Sequence, residues 1–161
     1  MKTVIFVRHG KSSWDYQVND KDRPLKERGI NDAHLVATEL KKKDIQIDAS
    51  FSSPANRALH TGMIFLRTLN FNFDKFQVTN MLYDFSGESA LRFLKSLSED
   101  FSSILIFGHN YAFTSLVNMM GDQYLDNLPT SGMAIIQFDV EKWRNLDTGK
   151  TTDIIVPKDF K

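Results

Sequence analysis

Uninterrupted apolar runs mark the strands of this chain. Thr3 to Val7 is a β-branched and aromatic run without alternation, the pattern of a strand buried on both faces. Ile104 to Phe107 repeats that pattern. Four more segments predict strands, the last two as a hairpin with a turn at Asp147-Thr148-Gly149: Ile47 to Phe51, the weaker Phe76 to Val78, Ala134 to Val140 and Thr152 to Val156.

Helical spacing fills the intervals between these strands. One helical face is predicted by apolar residues at i, i+3, i+4 and i+7, namely Ala33, Val36, Ala37 and Leu40. The lysines at 41–43 suit the negative C-terminal end of that helix. Pro54 suits the first turn of a second helix, and Ser86 is expected to cap a third, over about 87–98. A fourth helix is expected over 112–120.

Strands that alternate with helices predict an α/β protein. We expect a three-layer α/β/α sandwich around a mostly parallel sheet, with a C-terminal β-hairpin. No linker rich in Pro, Gly or Ser divides the chain and no internal repeat occurs, so one domain is expected over residues 1–161.

Composition narrows the function classes. Lys and Arg total 20 and Asp and Glu total 20, so the basic surplus typical of nucleic-acid binding is absent. The lack of Cys excludes disulfides, thiolate metal sites and cysteine nucleophiles. The N-terminal apolar run from Val4 is too short for a signal peptide, and no run approaches the roughly 18 residues that span a membrane. A soluble cytoplasmic protein is therefore expected.

Candidate chemistry gathers where the strands end. His9 and His109 each follow a buried apolar strand directly and stand beside a glycine. Arg8 precedes the first histidine, and Arg57 lies early in the helix after the second strand. Because ligands of open α/β sheets bind outside the carboxyl ends of the strands, these four side chains are expected to face one pocket.

Two guanidiniums and two imidazoles suit phosphoryl transfer. Guanidinium forks match phosphoryl oxygens and spread positive charge over them in the transition state. A neutral imidazole attacks phosphorus and holds the group covalently, while the second imidazole, if protonated, donates to another oxygen. Two histidines without Cys or a carboxylate cluster make a poor metal site, so no metal and no cofactor are expected.

A blander interpretation exists for each motif alone. An Arg-His pair in a loop usually lies at the surface in contact with solvent, and Gly-His-Asn is usually a turn. Their joint placement after apolar strands, with Arg57 after the strand between them, favours the pocket. His34 and His60 fall within predicted helices and are taken as structural or exposed.

The motifs resemble those of the histidine phosphatase superfamily. Arg8-His9-Gly10 resembles the signature whose histidine becomes phosphorylated, and the segment Ser52 to Thr61 resembles the motif of the second arginine, Arg57. Gly108-His109-Asn110 is similar to the motif of the second histidine. The resemblance implies a phosphoglycerate-mutase-like fold in which Arg8, His9, Arg57 and His109 form the phosphate pocket.

The closer similarity is to the small SixA-type phosphohistidine phosphatases. It rests on RHGKSSWD, on DRPLKERG from Asp22 to Gly29, and on Thr130-Ser131-Gly132, and it covers nearly the whole chain. It implies that Ser12 lines the phosphate loop. Many members of the superfamily carry an acidic general acid after the third strand, where this chain has Met81. Asp84 and Glu88 are the nearby candidates, and either one instead fits a helix start, where acids favour the dipole.

These observations predict a metal-independent phosphatase that forms a phosphohistidine on His9, with Arg8, Arg57, His109 and Ser12 binding phosphate. The expected substrate is phosphohistidine on a partner protein of the histidine phosphotransfer type. An imidazole leaves more easily than an alkoxide and needs less help from an acid. The alternatives are a phosphatase of small phosphate esters, a phosphoglycerate mutase and a non-catalytic phosphate-binding module. No nucleic-acid or membrane partner is expected.

Overall fold

Six strands form one mixed sheet in the computed structural model, which describes residues 1–161. They are β1 (Lys2–Arg8), β2 (Ala49–Ser52), β3 (Phe76–Val78), β4 (Ser103–Gly108), β5 (Met133–Phe138) and β6 (Lys150–Ile155). The order across the sheet is β3-β2-β4-β1-β5-β6. The pairings from β3 to β1 are parallel, and β5 and β6 add an antiparallel hairpin at the edge beside β1.

Four helices cover the two faces of the sheet: α1 (Glu27–Lys42), α2 (Asn56–Thr68), α3 (Glu88–Lys95) and α4 (Ala112–Met120). Successive side chains of a strand point to opposite faces, and β1 shows the result. Val4 and Phe6 pack in one core with α3 and α4, whereas Ile5 and Val7 pack in a second core with α1 and α2. The three-layer sandwich predicted from the sequence is confirmed. None of the helices has the length and apolar character that crossing a membrane requires.

Element boundaries depart from the prediction at two helix starts. The second helix begins at Asn56 with Ala55 as its N-cap, so Pro54 lies before the helix instead of in its first turn. The third helix ends at Lys95. Its N-cap is Gly87 and not Ser86, and the φ of 102° at Gly87 is a left-handed conformation that glycine adopts without steric cost. The reason is Asp84, whose carboxylate accepts hydrogen bonds from the first N–H groups of this turn.

Candidate active site

The sheet brings the two histidines to one edge. β1 and β4 are parallel neighbours with Arg8 opposite Gly108, so the residues that follow, His9 and His109, leave the sheet side by side. Their ring centroids are 5.3 Å apart. Arg57 enters from the start of α2, next to β4, and its Nη2 lies 3.5 Å from His109 Nδ1. Arg8, His9 and Arg57 line a cleft of about 260 Å³.

A backbone contact fixes the tautomer of His9. Its Nδ1 lies 2.7 Å from the carbonyl oxygen of Gly10, which only accepts, so Nδ1 carries the hydrogen and Nε2 is left unprotonated. Gly10 N donates to Thr61 Oγ1 at 2.9 Å, and that hydroxyl donates to the carbonyl of Arg57 at 2.7 Å. The His9 loop and the arginine helix are therefore tied together.

Both histidines are neutral in the folded protein. Burial lowers the pKa of His9 to about 3, and the charges of Arg57 and Arg8 act in the same direction, against the hydrogen bond to Gly10. Burial also lowers the pKa of His109 to about 3, aided by His9 and Arg57. At neutral pH His9 therefore presents a free Nε2 lone pair, the form in which imidazole is a nucleophile.

His109 is held by a serine to which the sequence assigned no role. Its Nε2 lies 2.8 Å from Ser53 Oγ, which also accepts a hydrogen bond from Ala55 N at 3.1 Å. Ser53 belongs to the SSP segment at the end of β2, so its motif was visible in the sequence. Its partner was not, because 56 positions separate the two residues.

Some hydrogen-bond donors of the two arginines have no partner in the cleft. Arg8 Nη1 donates to the carbonyl of Leu128 at 2.9 Å, but the Nε groups of Arg8 and Arg57 are buried without a hydrogen-bond partner. An unpaired buried donor costs about 1–3 kcal/mol, and more when charged. Two such donors at one cleft indicate a site built for an anion.

A carboxylate absent from the sequence prediction lies in the same cleft. Asp20, in the 3₁₀ turn Asp20–Asp22 between β1 and α1, accepts hydrogen bonds at Oδ2 from Arg57 Nη2 at 2.8 Å and Tyr83 Oη at 2.6 Å. Burial works to raise the pKa of Asp20, yet the bonds from Tyr83 and Arg57 outweigh it and hold this pKa well below its usual range. No periodicity marks this loop, which is why sequence reasoning missed the residue.

Ser12 lines the cleft, and its binding of phosphate stays a prediction. Its Oγ accepts from Arg23 Nη2 at 2.5 Å, and the Arg23 guanidinium carbon lies 3.2 Å from the centroid of the Trp14 ring. Arg23 also lines the cleft and is 8% exposed. The DRPL segment thus contributes a third guanidinium, which the sequence analysis did not single out.

The two candidate acids lie elsewhere. Asp84 Oδ2 accepts from the backbone N–H groups of Gly87 and Ala90 at 3.1 and 2.9 Å, and Oδ1 accepts from Ser86 N at 3.1 Å. Burial raises the pKa of Asp84, but these hydrogen bonds lower it by more, so the group is ionised. Glu88 is exposed on the first turn of α3, and neither residue lines the cleft.

No group of three or more His, Asp or Glu side chains in the structure is arranged to hold a metal ion. His34 and His60 are both exposed, on α1 and α2.

Solved structures share this fold. The protein histidine phosphatase SixA in complex with tungstate superposes with a TM-score of 0.84 over 99% of both chains, at 24% identity. The putative phosphohistidine phosphatase SixA of Agrobacterium tumefaciens gives a TM-score of 0.81 over 97% of this chain and 98% of that one, also at 24% identity.

Sequence comparison finds relatives that match either most of the chain or a part of it. An uncharacterized protein of Mycobacterium tuberculosis is 24% identical over 157 residues, covering 89% of this chain and 93% of that protein. The 2,3-bisphosphoglycerate-dependent phosphoglycerate mutase of Beijerinckia indica is 35% identical over 71 residues, covering 42% of this chain and 34% of the mutase. The profile of the histidine phosphatase superfamily (branch 1) matches residues 4–85, about half of the chain. The chain therefore belongs to the histidine phosphatase superfamily.

Proposed function

We propose that this protein is a metal-independent phosphatase that carries its substrate's phosphoryl group on His9. The observation that carries the proposal is the pairing of a neutral imidazole with unsatisfied guanidinium donors at one cleft. His9 Nε2 is free to attack, and the buried Nε groups of Arg8 and Arg57 lack acceptors that phosphoryl oxygens would supply. Membership of the superfamily supports the same chemistry.

The reaction has two displacements. In the first, a bond forms between His9 Nε2 and phosphorus while the bond from phosphorus to the leaving group breaks. In the second, water attacks phosphorus, the bond to Nε2 breaks and inorganic phosphate leaves, with the water's proton passing to solvent. Arg8 and Arg57 offset the charge on the equatorial oxygens in both steps, and His109 beside them is a further phosphate ligand.

The preferred substrate is phosphohistidine on a partner protein. The imidazole leaving group has an ordinary pKa near 6.5 and requires little acid assistance. This matches a cleft whose one lining carboxylate, Asp20, is held ionised by Tyr83 and Arg57. The segment between β3 and β4 holds only a 3₁₀ turn at Asn80–Leu82 and the short helix α3, which leaves no room for a large cap, so a side chain displayed on a protein has access. The SixA structural neighbours support this choice.

Small phosphate esters are the second candidate substrates. The local sequence similarity to a phosphoglycerate mutase supports this candidate, because that enzyme acts on a small phosphate ester. Turnover of a sugar phosphate and of a phosphorylated phosphotransfer domain, compared at equal concentration, separates the two. A higher kcat/KM for the sugar phosphate would favour the ester.

A phosphoenzyme assay tests the nucleophile. With ³²P-labelled substrate and rapid acid-free quenching, the wild type is expected to accumulate an acid-labile phosphoenzyme, and His9→Ala is expected to lose both label and turnover. His60→Ala, an exposed histidine on α2, is the matched control and should keep both. Label on any residue other than His9 would refute the assignment. Chelator in the assay should leave the rate unchanged.

Substitution of the residues that bind phosphate should affect the kinetics differently from substitution of the nucleophile. Arg57→Ala leaves His9 in place but removes charge stabilisation, so kcat is expected to fall by about a hundredfold or more, as on loss of one preorganised donor. His109→Ala should behave similarly, with phosphoenzyme still detectable at long times. Single-turnover kinetics measure this, and an unchanged rate in both variants would show that neither side chain stabilises the transition state.

A further inference from the structure

The guanidinium of Arg57 is fully paired on one face and only partly paired on the other. Its end face is occupied by a single residue, because Nη1 donates to the backbone carbonyl of Asp20 at 2.6 Å and Nη2 donates to the Asp20 carboxylate at 2.8 Å. Its side face is formed by Nε, which is buried without a partner, and by the second hydrogen of Nη2, whose other contact is His109 Nδ1 at 3.5 Å. A guanidinium donates two parallel hydrogen bonds from such a face to an oxyanion.

We propose that Asp20 is a positioning residue for phosphoryl transfer. By accepting hydrogen bonds from the end face of Arg57, it orients the side face of that guanidinium toward the phosphoryl group. The inference rests on the proposed function and adds a residue to it. Asp20 acts through Arg57 and makes no contact with the reacting atoms in this scheme.

The carboxylate is itself held from two further directions. Tyr83 Oη donates to Oδ2 at 2.6 Å, and Arg23 Nη1 lies 3.3 Å from Oδ1. Arg23 in turn is fixed by Nε donating to the carbonyl of Ser13 at 3.2 Å and by its stack on Trp14. The 3₁₀ turn at residues 20–22 is thus linked by hydrogen bonds to the loop after β1, through Arg23 and Ser13, and to the loop after β3, through Tyr83.

Two other roles for Asp20 fit the contacts less well. As a general acid it would need a proton, whereas three donors face its oxygens and keep its pKa well below the usual range. As an internal anion that fills the phosphoryl site, it would be expected to satisfy the free donors. Instead, the Nε groups of Arg8 and Arg57 remain unpaired. In addition, one of the two hydrogen bonds between Asp20 and Arg57 is accepted by the Asp20 backbone carbonyl, which a rotation of the side chain does not remove.

The first test is kinetic. Asp20→Ala is expected to lower kcat by about tenfold or more, the effect of misplacing a group that stabilises the transition state. We expect KM to change by less than about threefold, because the charge gained by the pocket offsets the poorer geometry. Asp20→Asn keeps one acceptor oxygen and should fall between Asp20→Ala and wild type. Asp22→Ala, in the same turn with an exposed side chain, is the matched control and should keep wild-type kinetics.

The second test observes Arg57 directly. In ¹H–¹⁵N spectra, the Arg57 Nε–H signal, assigned with Arg57→Lys, is expected to be sharp in the wild type and to shift on titration with tungstate. In Asp20→Ala it should broaden and lose that response, while circular dichroism and the thermal midpoint show a folded protein. A role of Asp20 confined to folding would leave the signal of the folded variant unchanged.

The outcomes are distinct. Wild-type kcat and a wild-type Nε–H signal in Asp20→Ala would overturn the proposal. Faster turnover with tighter tungstate binding would overturn it as well, since Asp20 would then compete with the phosphoryl group. If the wild-type protein has no phosphatase activity, yet its Nε–H signal responds to tungstate only when Asp20 is present, the positioning role stands and the proposed function falls.

Discussion

Ser53 Oγ accepts a hydrogen bond from Ala55 N and lies 2.8 Å from His109 Nε2. Because burial keeps His109 neutral, the ring carries a single hydrogen. Arg57 Nη2 lies 3.5 Å from Nδ1 and can only donate, so Nδ1 accepts and the hydrogen lies on Nε2, which donates to Ser53 Oγ. Ser53 therefore favours the tautomer whose Nδ1 accepts from Arg57.

Loss of the Ser53 hydroxyl should cost rate without unfolding the protein. In Ser53→Ala the Nε2–H group loses its acceptor and the tautomer protonated at Nδ1 becomes available, so we expect kcat to fall by about tenfold to a hundredfold with little change in KM. Ser50→Ala is the control, because that buried hydroxyl donates to the carbonyl of Leu105, on the same strand but in a different contact. Steady-state kinetics and the ¹⁵N shifts of His109 measure the effect. An unchanged kcat with His109 still protonated at Nε2 would contradict it.

At the scale of elements, α3 depends on a carboxylate outside its own bounds. Asp84 accepts from the N–H groups of Gly87 and Ala90, donors that a helix start otherwise leaves unpaired. The same helix buries Ala90 and Leu94 in the core that it shares with α4. The acidic residue considered as a general acid is therefore engaged in capping.

Substitution separates capping from catalysis. Asp84→Asn replaces one acceptor oxygen by a donor, so we expect the free energy of unfolding to fall by about 1–2 kcal/mol. Turnover of a substrate with a good leaving group should stay within about twofold of wild type. Glu88→Gln, at an exposed position, should leave both unchanged. Urea denaturation and initial rates provide the test, and a rate loss in Asp84→Asn comparable to that of Arg57→Ala would instead support an acid role.

Another element-scale contact explains the glycine of the DRPLKERG segment. Gly29, in the first turn of α1, packs so closely on the phosphate loop that a Cβ there would lie within van der Waals overlap of the Lys11 carbonyl oxygen. Lys26 N donates to that same carbonyl at 2.8 Å, and Ser13 N donates to the carbonyl of Pro24. The segment braces the loop that carries His9.

For the whole molecule, the site makes stability depend on pH. His9 and His109 have pKa values of about 3 when folded, below the ordinary value of 6.5. Between those values the unfolded chain binds more protons than the folded one. The stability contributed by the neutral histidines is therefore complete above about pH 6.5 and is lost progressively as the pH falls toward 3. The lowered pKa values of Asp20 and Asp84 act in the same direction at lower pH.

We expect the free energy of unfolding to fall as the pH is lowered from 7 to 4.5. Each histidine contributes at most about 1.4 kcal/mol per pH unit below its ordinary pKa. In the double variant His9→Gln/His109→Gln this dependence should be reduced, whereas His34→Gln/His60→Gln, on exposed positions, should keep it. Urea titrations at several pH values measure the slope. Identical slopes in the wild type and the first variant would show that the site does not control the pH dependence.

Elements with a strong short-range pattern could be predicted from the residues alone. β3 and α4 have the predicted bounds, and β1 and β4 extend their predicted runs by one or two residues. Continuous burial and helical spacing are short-range patterns that depend on neighbouring residues alone. The edge of the sheet follows from these elements, which is why Arg8, His9, Arg57 and His109 were expected at one cleft. Their catalytic roles stay predictions.

Contacts between polar side chains that are distant in the chain became visible only in the folded protein. Asp20 reaches Arg57 from 37 positions away, and Ser53 reaches His109 from 56. Neither loop has a periodic pattern, and a carboxylate in a polar loop has the same local sequence whether solvent or a guanidinium surrounds it. Asp84 looked like an acid near the pocket until its backbone partners were visible. Long-range pairing decides such roles, because the free energy that places these groups comes from partners the local sequence does not contain.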